Sequence, residues 1–475
     1  MQKVFKKSSC EKKAGVTIFL TMLLAICASV LFALLEVARV KGLKTQAKII
    51  SDLTIESMFA EYQKNIYEDY GILLLDESYM TGNFSKENLE LEYAKLDRKN
   101  RLANDMYRLE LAGCEVTGCQ YATDYGGAPF RRLVLKNQML LQNGVDISEF
   151  EQNKQSYEDM ESSNSDVEEV IENDFSACKQ YQEEKNQIDD AVEWKKSPIL
   201  SNVVRDEATL SNKAVDLSSN LEHRVKNVGN VSGGYEGEKK GKILFVEYLT
   251  DKMGCYVNVK EDHVMDYELE YILAGKSSDR ENLEKVAKSL IKIRELSNIS
   301  YLLGSPEKCA QASEAAVLLS GWTENPVIVE VAKWGILNAW AYQESILDVR
   351  ALLEGRKISF RKTDAEWTLK TVPTPHSLSG FQLANHCERG WDYLTYLKFL
   401  LYAGDETAIN YRSMDIIEVN TSKKEGIPIR MDHMAVYLEI NSSYEANALF
   451  YQYVQLGKQG IKGFVFEQTS KYTYL

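Results

Sequence analysis

"AGVTIFLTMLLAICASVLFALLEVARVKGLK", residues 14–44, follows a lysine-rich start, and its reading decides how the remaining chain is placed. Val16 to Leu35 is apolar or small throughout, apart from Thr17, Thr21 and Ser29. Twenty helical residues rise about 30 Å, the thickness of a bilayer's hydrocarbon core. A secretory signal has a shorter apolar region, about 7–15 residues, ending at a small-x-small cleavage site. The nearest such triplet, Ala25-Ile26-Cys27, lies inside the run, and Ile26 is too bulky to precede a lipidated cysteine. The stretch is therefore read as a retained transmembrane helix, residues 16–38, behind a cytoplasmic tail, residues 1–15.

Lys3, Lys6, Lys7, Lys12 and Lys13 precede the span, against one acid, Glu11; Arg39, Lys41, Lys44 and Lys48 follow it. A short basic tail stays in the cytoplasm, whereas a long following domain is translocated largely regardless of its own charge. This places the N terminus inside the cell membrane and the bulk of the chain outside it. Beyond the span, Leu43, Ala47, Ile50, Leu53, Met58 and Ile66 recur every three or four residues. That spacing predicts an extracytoplasmic continuation of the stem helix over residues 39–70. Ala14-Gly15 ahead of an apolar helix has the form of a prepilin-peptidase site, but pilins carry a glutamate five residues past the cut, and Leu20 stands there. Gly15, Glu36 and Arg39 are the candidate assembly or membrane-interface residues. Glu36, at the outer edge, is expected to reach water or Arg39, three residues on.

The chain has 475 residues and a net charge of −14, which excludes nucleic acid as a partner because no basic excess exists to neutralise phosphates. Residues 71–145 are expected to contribute to a sheet: Tyr107–Leu111 alternates as a half-buried strand, and Glu115–Thr117 extends it. Gly126-Gly127 ends that unit, and Pro129 opens a helix to about Gln142. Residues 146–235 read as an acidic helical arm, because carboxylates far outnumber lysines from Asp146 to Glu193. Residues 236–475 read as an α+β domain with a helical bundle and C-terminal strands. Within it, Ile243–Lys252 reads as a helix and "MDYELEYIL" (265–273) alternates like a strand. Asp279–Leu303, Ala310–Leu319, Val327–Trp340, Tyr342–Leu353 and Trp391–Tyr402 read as helices. Met434–Ile440, Phe464–Phe466 and Tyr472–Tyr474 read as strands. The expected fold is α+β: a long N-terminal transmembrane, pilin-like helix, then an extracytoplasmic domain with a small antiparallel or mixed sheet and a predominantly helical subdomain.

No catalytic pattern is present. The histidines, His223, His263, His376, His386 and His433, do not fall into H-E-x-x-H or H-x₃₋₅-H spacing. No G-x-S-x-G elbow occurs. Gly241-Lys242 lacks the Ser or Thr of a phosphate loop. His386 and Cys387 are adjacent, so their side chains diverge rather than form a nucleophile–base pair. No catalytic, cofactor-binding or metal-ligating residue is nominated, and the chain is not expected to be an enzyme. Cys114, Cys119, Cys178, Cys255, Cys309 and Cys387 fall outside the membrane; their disulfide status is open, and buried free thiols are expected for most.

"GVTIFLTMLL…LLEVARV", "EYILAGKSSDRENL", "AWAYQESILDVRALLEG" and "RSMDIIEVN" resemble an uncharacterised domain-of-unknown-function family of Gram-positive anaerobes. That family is TadE/TadG-like at its N terminus and is associated with tight-adherence (Tad/Flp) pilus genes. The resemblance implies a single-pass cell-envelope protein acting as a structural or assembly, pseudopilin-like, component of a Tad/Flp-type pilus or secretion system. Its partners would be membrane lipid, through the N-terminal helix, and other pilus or secretion-system proteins. Leu35-Glu36-Val37-Ala38-Arg39 echoes the acidic-to-basic close of a TadE-like span, with alanine where glycine is common. The alternatives are a surface adhesin with an acidic, tyrosine-rich exterior and a membrane-tethered hydrolase, which would need a histidine facing a serine, cysteine or carboxylate in a pocket.

Overall fold

Helix α1 (Ser8–Ala60) runs 53 residues without proline. In the computed structural model, which describes residues 8–101, 105–141, 148–175, 198–231, 239–320, 326–373, 380–450 and 463–475, this helix has two distinct halves. None of Gly15–Leu35 is buried, and Leu24 is 71% exposed; this half is long and apolar enough to cross a membrane. From Glu36 onward one stripe turns inward, with Glu36, Arg39, Leu43, Ala47, Ile50, Thr54 and Met58 all buried. The three- and four-residue intervals place these side chains on one face.

The stem stops at Ala60 rather than Tyr70. Gln63 begins a separate helix, α2 (Lys64–Tyr70), with its side-chain oxygen accepting the amides of Asn65 and Ile66 at 2.8 and 3.2 Å. Periodicity missed the break because Ile66 is buried at the same interval on a different helix.

The chain divides into two compact units: residues 1–124, 227–233 and 427–475 form one, residues 125–226 and 234–426 the other. The C-terminal strands thus belong with the stem, not with the domain of residues 236–426 that precedes them in sequence.

The first unit holds an antiparallel sheet. Strand β3 (Met434–Asn447) is central; β2 (Glu110–Tyr121) lines one side, and β1 (Leu75–Asp76) and β4 (Gly463–Thr473) lie end to end on the other. The two expected strand pieces around Gly113 are one strand, because register shifts at Leu111/Gly113 and Val116/Gly118 absorb the extra residues as bulges. Leu438, Ile440, Tyr444 and Ala446 are buried at two-residue spacing on β3. Leu43, Ala47 and Ile50 of α1 pack with Leu109, Tyr444, Ala446 and Phe466 in one apolar cluster. A buried hydroxyl set completes the seam. Ser51 Oγ lies 2.9 Å from Tyr93 on α3 (Lys86–Asn100), 3.1 Å from Ser442 on β3 and 3.0 Å from Ser470 on β4. A Cβ at Gly42 would lie 2.5 Å from the Tyr107 ring, so any larger residue there displaces that ring.

The second unit is largely helical. It contains α4 (Asp124–Leu141), whose Tyr125, Gly126 and Gly127 have left-handed φ values of 52°, 70° and 80° before the regular helix begins. Then come α5 (Ser148–Phe175), α6 (Ile199–Val203), α7 (Lys239–Lys252), α8 (Glu268–Ala274), α9 (Asp279–Gly304), α10 (Pro306–Ser320), α11 (Pro326–Leu353), α12 (Tyr393–Ala403) and α13 (Glu406–Glu425). The acidic arm is helical over α5; residues 176–197, with Cys178, lie outside the described residues. Ile299 and Leu302 of α9, Ala312 of α10 and Leu337, Trp340 and Ala341 of α11 share a core with Trp367.

"MDYELEYIL" forms a helix, α8, not a strand: Glu268 and Glu270 are as fully buried as Leu269 and Tyr271, so the alternation does not separate an inside from an outside. The two helices expected over 327–353 are one, α11, because Ala341 continues the buried face without a break.

Candidate functional site

The sequence candidates Glu36 and Arg39 lie where the apolar half of α1 meets the folded unit. One turn of helix places both on the inward face, and neither reaches water: Glu36 is 0% and Arg39 3% exposed. Of the two expected outlets for Glu36, Arg39 is the one used, with Nη1 donating to Oε1 at 2.9 Å. The carboxylate also accepts the backbone amides of Leu449 and Phe450, at 3.3 and 2.7 Å. Arg39 donates from Nε to the Met106 carbonyl at 2.5 Å and from Nη1 to the Asn447 carbonyl at 3.0 Å. One ion pair therefore fastens α1 to the end of β3 and to the segment entering β2. Phe32 stacks on Phe450 one turn below, with centroids 6.1 Å apart and planes within 10°. Gly15 stands apart, exposed on the apolar half, where an added Cβ would meet no other part of the chain within 4 Å.

Sequence spacing gave no sign of a second charged cluster, in the other unit. Arg294 of α9 donates from Nε to Asp348 of α11 at 3.0 Å, and Lys362 Nζ lies 2.5 Å from the other Asp348 oxygen. Lys362 also contacts Glu344, whose oxygens accept the amides of Thr368 and Leu369 at 2.9 Å. All four charges are buried. Burial opposes ionisation of Asp348, but Lys362 and Arg294 outweigh it and hold the carboxyl below its ordinary range. The two cations and two anions balance, and their remaining donors reach the Ser359 and Phe360 carbonyls and the Tyr396 hydroxyl.

Four of the charged or nucleophilic side chains bear on hydrolytic chemistry: His263, His433, His386 and Cys387. His263 Nδ1 lies 2.8 Å from Glu268, and His433 Nδ1 lies 2.6 Å from Glu77. His386 Nδ1 accepts the Lys357 amide. Cys387 donates to Glu366 at 2.8 Å, with Ser359 Oγ 3.0 Å from the sulfur and 2.7 Å from the same carboxylate oxygen. Burial works against the Glu366 charge, but donors from Cys387, Ser359 and Thr363 outweigh it and bring the carboxyl to about 2. The arrangement ties residues 357–366 to 384–391. His376 lies outside the described residues. Among the described residues no His, Cys, Asp and Glu side chains group as metal ligands.

Cys114 and Cys119 lie five residues apart on one extended strand, so they do not bridge; Cys255, Cys309 and Cys387 are free as well. Burial pushes Cys119 and Cys255 up to about 12.

Glu270, fully buried, is pushed up to about 7 by desolvation, against hydrogen bonds from the Tyr256 amide and the Tyr393 hydroxyl. Asp415 is raised to about 7 by burial, with the Leu221 amide and Tyr271 hydroxyl opposing. A carboxyl whose folded value is raised contributes stability in full below its unfolded value, near 4, and loses it as pH rises through 7. Thermal melts from pH 5 to 8.5 should show a fall in melting temperature toward pH 7 and a plateau above it. Glu270→Gln should flatten the fall and raise the melting temperature at pH 8; an unchanged profile refutes the assignment.

A family of unknown function, DUF5702, matches residues 177–446. No curated protein and no solved structure matches the chain.

Proposed function

The chain belongs to DUF5702, a family of unknown function, and we propose that this member is a single-pass cell-envelope protein with a structural or assembly role. The matched region excludes the stem, so no activity or partner passes from the family to that part. The observation carrying the proposal is the change in α1 at Glu36. An apolar half about as long as a bilayer is thick ends there, and the next turn is clamped into a sheet by a buried ion pair. A helix fixed at the foot of a folded unit transmits the position of the membrane to that unit rigidly, as an anchor or platform subunit requires. The N terminus is placed in the cytoplasm and the folded units outside. The proposed partners are membrane lipid and the proteins of a Tad/Flp-type pilus or secretion system, with α1 in a pseudopilin-like role.

The test begins with native membranes. The full chain should resist alkaline extraction, dissolve in detergent and be degraded by protease added outside intact cells. Photo-crosslinking from α1 followed by pull-down should recover pilus or platform subunits. A mature chain that begins after Leu35 and stays soluble without detergent refutes the anchor; recovery of no pilus or secretion protein refutes the assembly role.

A further inference from the structure

Above the clamp, α1 keeps an apolar surface that its own unit leaves open. Thr45, Ile49 and Leu53 of α1, with the Tyr107 ring and Asn100, line a groove of about 630 Å³. Ile49 is 59% exposed and Leu53 44%, both well past the end of the apolar half. The groove follows a ridge that starts within the apolar half: Ala25, Ser29, Ala33, Val37, Lys41, Thr45, Ile49 and Leu53 recur every four residues. Ridges of that spacing are the ones by which helices interdigitate.

The adjacent ridge carries charge in blocks. Lys44 and Lys48 come first, then Asp52 and Glu56, again every four residues. None of these four forms an ion pair among the described residues. Two stems lying parallel in register would set lysine against lysine and carboxylate against carboxylate, which is unfavourable. A shift of eight residues, about 12 Å along the axis, sets Lys44 of one copy beside Asp52 of the other and Lys48 beside Glu56. The same shift brings Leu34 and Val37 of the displaced copy, exposed by 64% and 46%, level with the groove of the first. Those side chains leave lipid when a stem is raised by 12 Å and need apolar cover.

We propose that this groove receives α1 of a second copy of the chain, parallel and raised by about eight residues (about 12 Å), with residues 33–48 of the raised stem seated along residues 41–56 of the lower one. The proposal rests on the assembly reading above and names its geometry: stems stacked in steps rather than paired level in the bilayer. Apolar contact supplies the attraction, and the charge blocks select the register, as alternating charges do in helical bundles.

The experiment uses full-length chains in native membranes. Two differently tagged copies, one Lys44→Cys and the other Asp52→Cys, are co-expressed and oxidised with copper phenanthroline, with the unsubstituted chain as background. A disulfide requires the Cβ atoms within about 4.5 Å, so the mixed 44–52 product reports the stagger. It is expected to form, to be lost when Lys48→Glu is added to the Lys44→Cys copy, and to return when Glu56→Lys is added to the Asp52→Cys copy. Crosslinks between like positions only, crosslinks only to other proteins, or no product overturn the proposal. Retention in the membrane is scored on the same samples: a chain that stays membrane-bound and fails to give the mixed product sinks the stagger alone, whereas a chain lost from the membrane sinks the anchor reading.

Discussion

Arg39→Met is expected to destabilise the first unit by about 3–5 kcal/mol, because it strands the fully buried Glu36 carboxylate without its counter-charge. The methionine fills the space of the guanidinium stem but leaves the Met106 and Asn447 carbonyls without their donor. Glu36→Leu should cost a similar amount, since it leaves a buried cation and removes the acceptor for the Leu449 and Phe450 amides. The double replacement should cost clearly less than the sum of the two, because neither charge then remains uncompensated. Denaturant melts of the detergent-solubilised protein, with limited proteolysis after Asn447 as a local report, measure all three. Variants that melt with the unsubstituted chain, or costs that simply add, show that the pair does not hold the stem to the sheet. Glu36 would then be an interfacial charge.

The second large effect concerns Asp348. Asp348→Asn removes the anion shared by Arg294 and Lys362, leaving two buried cations with Glu344 alone as counter-charge. The expected loss is again about 3–5 kcal/mol, read as early amide exchange along α9 and α11. The carboxyl sits below its ordinary range, so its contribution is complete above the unfolded value near 4 and is lost as pH falls through the lower folded value. Asp348→Asn should therefore be destabilising at neutral pH and closer to neutral in effect in strong acid. An equal deficit at both extremes would assign the loss to packing instead of charge.

Much of the architecture was legible because it depends on local pattern. The apolar run of α1 was plain from composition, and Leu43, Ala47, Ile50 and Met58 of the expected stripe are buried, whereas Leu53 of the same stripe is 44% exposed. Asp279 onward read as a long helix, and it is one, capped by Ser278. The failures have a common cause. Hydrophobic alternation and periodicity assume that charged residues face water. Glu268 and Glu270 do not, so α8 passed for a strand. The stem likewise seemed to run on to Tyr70 because a second helix repeats its spacing.

By itself, then, the sequence determined that an apolar run long enough to cross a membrane lies near the start of the chain, that the chain is acidic, and that short-range motifs of catalysis and metal binding are missing. Those properties are set by neighbours within a few residues of one another. Only the tertiary structure decided that Glu36 is sealed under residues 449–450, that Asp348 meets both Arg294 and Lys362, and that the last strands complete the sheet against the stem. Each of those contacts joins residues tens to hundreds of positions apart. Long-range burial, which makes a charge costly unless it is paired, is a property of the packed chain that no local window contains.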